Sequence, residues 1–336
     1  MDPAAALERV AYLLESQRAE SYKVRAFRRA AATVRATDDG ELARMAAAGR
    51  LRQLEGVGET TARIVAEALE GSVPSYLAKL EGEQPEPPGG AVGALRGALR
   101  GDCHSHSDWS DGGSSIREMA AAARGIGHDY LALTDHSPRL TVAHGLDAER
   151  LARQLEVVAE VNEEMAPWRL LSGIEVDILE DGSLDQPDEI LAGLDVVVAS
   201  VHSRLSMESA AMTRRMVRAI ESPHVDVLGH VTGRLIVGRG RPQSSFDADE
   251  VFEACARTKT AVEINSRPER RDPPPELLAK AAAAGCVVTI DTDAHAPGQL
   301  EWLELGCEQA VEAGIGAAQV MNTKGVDELL SWTRAH

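Results

Sequence analysis

The sequence predicts an α/β protein of two domains, a parallel (β/α) barrel preceded by a small all-α unit, on three observations. Beyond residue 100, short β-branched or apolar runs alternate with helical stretches, which is the pattern of a parallel sheet. Seven such runs in about 235 residues suit a closed barrel better than an open sheet. The third observation is the stretch Glu83-Gln84-Pro85-Glu86-Pro87-Pro88-Gly89-Gly90, whose proline, glycine and charge favour a connection over packed structure. A linker is expected at 83–99, between a domain at 1–82 and another at 100–336.

In the first domain, Leu7, Val10, Ala11 and Leu14 recur at helical spacing, and similar periodicity surrounds Phe27 and Ile64. Strands are expected in the second at residues 101–106, 130–135, 170–176, 196–201, 225–229, 261–264 and 287–290. Helices are expected between them, at 115–124, 147–164, 208–220, 247–258 and 276–284.

A length of 336 residues and 44% hydrophobic content are enough for two cores. No uncharged apolar run approaches the ~18 residues of a membrane span, and Ala4-Ala5-Ala6-Leu7 runs into Glu8 and Arg9 rather than into a signal-peptide core. A cytoplasmic location is expected, with no membrane partner. Cys103, Cys255, Cys286 and Cys307 form no C-x-x-C pair and are expected to be reduced thiols. Residues 1–82 hold 12 Lys/Arg against 12 Asp/Glu, leaving 23 against 41 in the remainder. The acidic excess therefore lies in the larger domain and disfavours charge-driven wrapping of nucleic acid by it. Aromatics, at 3%, supply little for base stacking.

Six of the ten histidines fall at or just beyond the C-terminal end of an expected strand: His104, His106, His136, His202, His230 and His295. Asp111, Glu175 and Asp293 join them. In a parallel barrel those ends meet at one rim, where active sites are built. Side chains alternate along a strand, so His104 and His106 share a face and can chelate one ion. Asp293 and His295 repeat the spacing after the last strand. His128, His224 and His336 lie away from the strand ends and read as ordinary core or surface groups. His144 sits in a loop that could face the site. Mixed imidazole and carboxylate donors suit zinc, manganese or iron.

Taken in order, Gly101-Asp102-Cys103-His104-Ser105-His106-Ser107-Asp108-Trp109-Ser110-Asp111-Gly112, Leu133-Thr134-Asp135-His136-Ser137, Gly173-Ile174-Glu175-Val176-Asp177, Ala199-Ser200-Val201-His202-Ser203, Gly229-His230-Val231-Thr232-Gly233-Arg234, Glu263-Ile264-Asn265 and Thr292-Asp293-Ala294-His295 resemble the PHP (polymerase and histidinol phosphatase) superfamily. The likeness is greatest to the C-terminal PHP domain of bacterial family X DNA polymerases. It implies a distorted, TIM-like seven-stranded barrel and a site for three divalent ions (Mn2+, Zn2+ or Fe2+). One ion would take His104, His106, Glu175 and Asp293, a second Glu175, His202 and His230, and a third Asp111, His136 and His295. Val231 departs from the proline usual in those polymerases, which affects loop shape.

Three dications against three carboxylates leave such a site positive and attractive to phosphate despite the acidic exterior. The expected chemistry is hydrolysis of a phosphate ester by water bridging two metals and deprotonated near neutral pH. Arg204 and Arg234 are candidates for gripping the phosphate, and Asn265 and Arg267 for meeting the leaving group.

Upstream, Leu54-Glu55-Gly56-Val57-Gly58-Glu59-Thr60-Thr61-Ala62 has the glycine-apolar-glycine turn of a helix-hairpin-helix, whose helix start can bind a DNA phosphate. With Ser21-Tyr22-Lys23-Val24-Arg25-Ala26-Phe27-Arg28-Arg29-Ala30, the unit resembles the 8 kDa domain of polymerase beta. Gly56 and Gly58, with Lys23, Arg25, Arg28 and Arg29, would then face DNA. The Schiff-base lysine of the lyase relatives is replaced by Ile64, so deoxyribose-phosphate lyase activity by that route is not expected. Fingers, palm and thumb domains are absent between the two units, so polymerisation is not expected either. The leading expectation is a phosphoesterase acting on DNA ends in repair, as a 3′ exonuclease, 3′ phosphatase or abasic-site nuclease. The alternatives are a small-molecule phosphatase for histidinol phosphate or a nucleotide, and a non-catalytic DNA-binding protein.

Overall fold

The computed structural model describes residues 1–335, and His336 lies outside the described residues. The chain divides into two units, Met1–Pro87 and one that begins at Pro88. The first is all helical: α1 (Pro3–Ser16), α2 (Ser21–Ala36), α3 (Asp39–Ala47), α4 (Glu59–Leu69) and α5 (Ser75–Gly82). Asp2 starts α1 by accepting the Ala5 N–H at 2.6 Å, with Pro3 in the first turn, where its missing N–H costs nothing. The apolar stripe Leu7, Val10 and Leu14 is buried with Val24, Phe27 and Ala31 of α2 and with Ile64 and Val65 of α4. The periodicity in the sequence is thus the face that holds this unit together.

The second unit opens with α6 (Gly90–Ala98), inside the segment expected to be linker. Val92, Leu95 and Leu99 recur at helical spacing and join the barrel's outer core, so only the stretch before Gly90 lacks regular structure. The strands are β1 (Gly101–Asp102), β2 (Tyr130–Leu133), β3 (Arg169–Asp177), β4 (Val196–Ser200), β5 (Val227–Leu228), β6 (Ala261–Asn265) and β7 (Val288–Asp291). The remaining helices are α7 (Ile116–Gly125), α8 (Ala148–Met165), α9 (Asp188–Leu191), α10 (Ser209–Ile220), α11 (Ala248–Thr258), α12 (Pro275–Ala283), α13 (Leu303–Glu312) and α14 (Val326–Thr333). All the strands are parallel, in the order β1 to β7.

Alternation along the strands sorts the side chains. Val197 and Ala199 pack outward with Met212 and Met216 of α10, while Val196 and Val198 join Tyr130, Ala132, Leu171 and Val227. On β3, Ile174 and Val176 point outward to the helices, so Glu175 faces the interior.

Expected strand 101–106 pairs as a ladder only at its first two residues. Beyond them, carboxylates replace the ladder between β1 and β7. Asp102 accepts the Thr292 N–H at 3.2 Å and its hydroxyl at 2.5 Å, and Asp291 accepts the Cys103 N–H at 2.8 Å. One parallel bridge, Ser105 to Ala294, completes the nearly closed seam. The four cysteines are buried free thiols. No helix among the described residues is long and apolar enough to cross a membrane.

Candidate metal centre

Every expected ligand lies on or after a strand at the C-terminal end of the barrel, and five of the histidines converge on Glu175. Glu175 Oε2 is 3.4 Å from His104 Nε2, 3.6 Å from His106 Nε2 and 2.8 Å from His136 Nδ1. Its Oε1 is 3.1 Å from His202 Nε2 and 2.9 Å from His230 Nε2. Asp293 Oδ1 stands 3.3 Å from His106 Nε2, and Asp111 Oδ1 lies 3.5 Å and 3.3 Å from Nε2 of His136 and His295. Asp293 is held at φ +52°, a left-handed conformation that costs a non-glycine residue about 1–3 kcal/mol and is characteristic of functional sites.

The donors fit divalent metal. Buried ring nitrogens of His104, His106, His136 and His202, and Glu175 Oε2, have no hydrogen-bond partner. Buried polar atoms are nearly always paired, so lone pairs turned toward one another mark a place for cations. Three groups have donor atoms mutually within 4.8 Å: His106, Asp111, His136 and His295; His104, His106 and Glu175; His136, Glu175 and His202. The groups share His106, His136 and Glu175, so the cluster is more interlocked than the expected partition. His230 reaches it through Glu175.

Electrostatics keep the two buried carboxylates and two of the imidazoles in ligating form, while neighbouring carboxylates raise His104, His136 and His202 against the opposing effect of burial. Burial alone would protonate Glu175, but His202, His104 and His136 hold it well below the usual carboxylate range. Asp293, also buried, is held down by Arg267, His106 and neighbouring imidazoles. Burial lowers His106 well below its ordinary value and His230 to about 4, so both are neutral near pH 7. Burial also opposes protonation of His136, yet Glu175 and Asp111 raise it to about 10, so an ion there must displace a proton.

A ring of carboxylates behind the ligands went unassigned in the sequence. Glu263 Oε1 lies 2.5 Å from His104 Nδ1, and its Oε2 accepts the His230 N–H at 2.5 Å and Asn265 Nδ2 at 3.1 Å. Asp177 stands 3.5 Å from His202 Nδ1. Asp135 accepts Ser107 N–H and Oγ at 2.8 and 2.6 Å, Ser110 Oγ at 2.5 Å and Gln154 Nε2 at 2.6 Å, ordering the loop that carries Asp111. Such partners fix tautomer and orientation. Their signal in the sequence was an acidic residue in or just after a strand, next to a histidine at Asp135 and two residues beyond Glu175 at Asp177.

The cluster opens into a cleft of about 270 Å3, lined also by Leu140, Leu235, Arg267, Glu269 and Arg270. Arg267 Nη1 is 3.5 Å from Asp293 Oδ1, and Arg270 Nε is 3.2 Å from Asp293 Oδ2. Other expected substrate residues stand elsewhere. Arg204 is exposed and pairs with Glu180 at 3.4 Å. Arg234 donates to the carbonyls of Arg270, at 3.0 Å, and Arg271, so it shapes the loop that presents Arg270. Asn265 is wholly buried and donates to Glu263 and Asp293, which makes it a support for ligands rather than a contact for substrate. His144 is exposed in a left-handed turn outside the cleft lining. There Gly145 is required, because a Cβ would lie 1.8 Å from the Ser137 carbonyl oxygen.

In the helical unit, Gly56 takes φ +72° and Gly58 precedes α4, its N–H donating to Thr61 Oγ1 at 2.8 Å. Lys23, Arg25 and Arg29 are exposed, and the Arg29 stem crosses Gly56, 2.9 Å from where a Cβ would stand. Arg28 is instead engaged by Glu15 at 2.6 and 3.2 Å. Ile64 is fully buried.

Comparison with known proteins places these features. The PHP domain model matches residues 102–267, and a helix-hairpin-helix domain model matches residues 1–73. The chain is 41% identical over 233 residues to the DNA polymerase/3′-5′ exonuclease PolX of Bacillus subtilis (strain 168), a match covering 69% of this chain and 40% of that protein. It is 30% identical over 233 residues to a probable phosphatase of Thermoanaerobacter sp. (strain X514), covering 66% of this chain and 89% of the relative. Among solved structures it is similar to the histidinol phosphate phosphatase of Lactococcus lactis complexed with zinc, L-histidinol and phosphate, with TM-score 0.45, 19% identity and coverage of 65% and 94%. With the PHP motifs in order on a seven-stranded parallel barrel, and a relative matched over most of its length, the chain belongs to the PHP family of metal-dependent phosphoesterases.

Proposed function

We propose that this protein hydrolyses phosphate esters at DNA ends, as a 3′ exonuclease, 3′ phosphatase or abasic-site nuclease, with the helical unit holding the substrate. The observation that carries this reading is a helix-hairpin-helix unit joined in one chain to a PHP barrel with residues able to ligate at all nine expected positions. His104, His106, Glu175 and Asp293 would hold one ion, Glu175, His202 and His230 a second, and Asp111, His136 and His295 a third. His106 and His136 stand close enough to other groups to be shared. Bound divalent ions supply Lewis acidity toward phosphate oxygens and lower the pKa of water. The chain's own part is to keep Glu175 and Asp293 ionised, hold the imidazoles through Glu263 and Asp177, and offer Arg267 and Arg270 to the phosphate.

A small-molecule phosphatase is the second reading, favoured by the cleft's modest volume of about 270 Å3 and by the acidic barrel. Turnover of 3′-recessed duplex DNA against histidinol phosphate by manganese- or zinc-loaded protein separates the two. On the DNA reading, Lys23→Glu with Arg25→Glu raises KM for DNA about tenfold and leaves kcat unchanged. An unchanged KM removes the tethering role, and no turnover of either substrate by metal-loaded protein sinks both readings.

A further inference from the structure

Residues 233–244 and 266–272 together hold six arginines against two carboxylates, Glu269 and Asp272, in a region where residues 83–336 carry 23 basic against 41 acidic side chains. The two segments are bonded into one piece. Leu235 and Arg241 exchange backbone hydrogen bonds of 3.0 and 2.8 Å, and the Ile236 N–H donates to the Glu269 carbonyl at 2.7 Å. Arg234 ties the loop to the carbonyls of Arg270 and Arg271. The inner side gives Leu235, Arg267, Glu269 and Arg270 to the metal cleft. Outside the cleft, Ile236 and Val237 are 52% and 58% exposed, and Arg239 is exposed with no ion pair among the described residues.

This apolar exposure is localised. Among the described barrel residues, the exposed large hydrophobics are Val142, Ile236 and Val237, on the two loops that also give Leu140 and Leu235 to the cleft. An adjacent apolar pair beside free positive charge at the mouth of a site is an interaction surface rather than scatter. Ile236, Val237 and Arg239 are not among the residues that line the cleft. A polynucleotide offers both parts of this rim a partner, a base face for the aliphatic pair and a further phosphate for the arginine, beyond the phosphate at the ions. Aliphatic side chains pack against base faces in this way, and arginine holds the backbone.

We infer that the rim formed by residues 233–244 and 266–272 is a polynucleotide-binding lip, on which Ile236 and Val237 pack against a base while Arg239 holds a phosphate outside the metal cleft. The inference rests on the phosphoesterase reading above and narrows its substrate to a phosphodiester chain.

The test compares kcat/KM for an oligodeoxythymidine of about 12 nucleotides with that for para-nitrophenyl phosphate, using the manganese-loaded full chain. In Ile236→Asp/Val237→Asp and in Arg239→Glu, the ratio of the two is expected to fall about tenfold or more, through KM for the oligonucleotide. Arg239→Glu should also flatten the log-log salt dependence of oligonucleotide binding by roughly 0.7. Ratios within about twofold of the parent overturn the lip, as does a parent that turns over only para-nitrophenyl phosphate. If the parent turns over neither, the phosphoesterase reading fails, and the lip is judged by fluorescence anisotropy of the oligonucleotide, where unchanged affinity in Arg239→Glu overturns it.

Discussion

Replacing Glu263 by glutamine separates a carboxylate that orients the metal ligands from one that merely fills space. The side chain is wholly buried and faces three donors: His104 Nδ1 at 2.5 Å, the His230 N–H at 2.5 Å and Asn265 Nδ2 at 3.1 Å. With both oxygens accepting, Glu263 keeps a proton on His104 Nδ1; burial opposes charging of the ring, but Glu263 and Glu175 raise it well above its ordinary value, so an ion bound at Nε2 displaces only the proton there. Glutamine has the same shape but only one accepting end. If its oxygen serves His104, its NH2 group meets the His230 N–H. In the reverse orientation, His104 must accept on Nδ1, and its proton moves to the nitrogen meant for the ion. Either way a buried donor is left opposed, at about 1–3 kcal/mol, or about 5- to 150-fold in an equilibrium constant. The expected result is binding of Mn2+ or Zn2+ weakened by about 10- to 100-fold, measured by competition with a fluorescent chelator. Thermal unfolding of the metal-free variant serves as the control for folding. Wild-type affinity and stoichiometry in Glu263→Gln would refute the reasoning, because His104 would then be oriented without the carboxylate.

Two further outcomes follow from the same structure. Chelation of bound metal should lower the melting temperature of the protein: an ion at 100 times its Kd adds about 2.7 kcal/mol to the native state, or roughly 5–10 °C for a domain of this size. Differential scanning calorimetry with and without chelator checks this, and an unchanged transition would argue that the donors hold no ion. His128 is buried with both ring nitrogens unpaired, and burial, aided by Arg96, lowers its pKa from 6.5 to about 3. The unfolded chain therefore binds a proton that the native state refuses between those values. Stability contributed by the neutral ring is fully present above 6.5 and declines as pH falls toward 3, by about 1.4 kcal/mol per unit. Urea titrations at several pH values should show that slope reduced in His128→Leu, and an equal slope in both proteins would assign the acid sensitivity elsewhere.

The candidate ligand cluster was legible because it lies at strand ends, and strand ends can be read from alternation of apolar and helical segments. His104 with His106, and Asp293 with His295, needed no more than that spacing. Substrate-facing residues were harder to find. Arg234 and Arg270 look alike in the sequence, yet the first is spent on the carbonyls of Arg270 and Arg271 while the second lines the cleft beside Asp293. Position after a strand cannot tell them apart, because a loop's path, and not its composition, decides which way a long side chain points. Part of the expected linker became α6 for a related reason: Pro85 to Gly90 reads as a break, but Leu95 and Leu99 find apolar partners on the barrel.

The sequence by itself determined the barrel, the all-α unit before it and the nine candidate metal ligands, since each depends on local periodicity and residue chemistry. Only the tertiary structure decided that five histidines meet a single carboxylate, Glu175, that Glu263 bonds the His104 ring and the His230 backbone, and that arginine and exposed aliphatic side chains border the same cleft. Those arrangements bring together residues from different strands and loops, and burial, charge and hydrogen-bond satisfaction are properties of the assembled neighbourhood rather than of any segment within it.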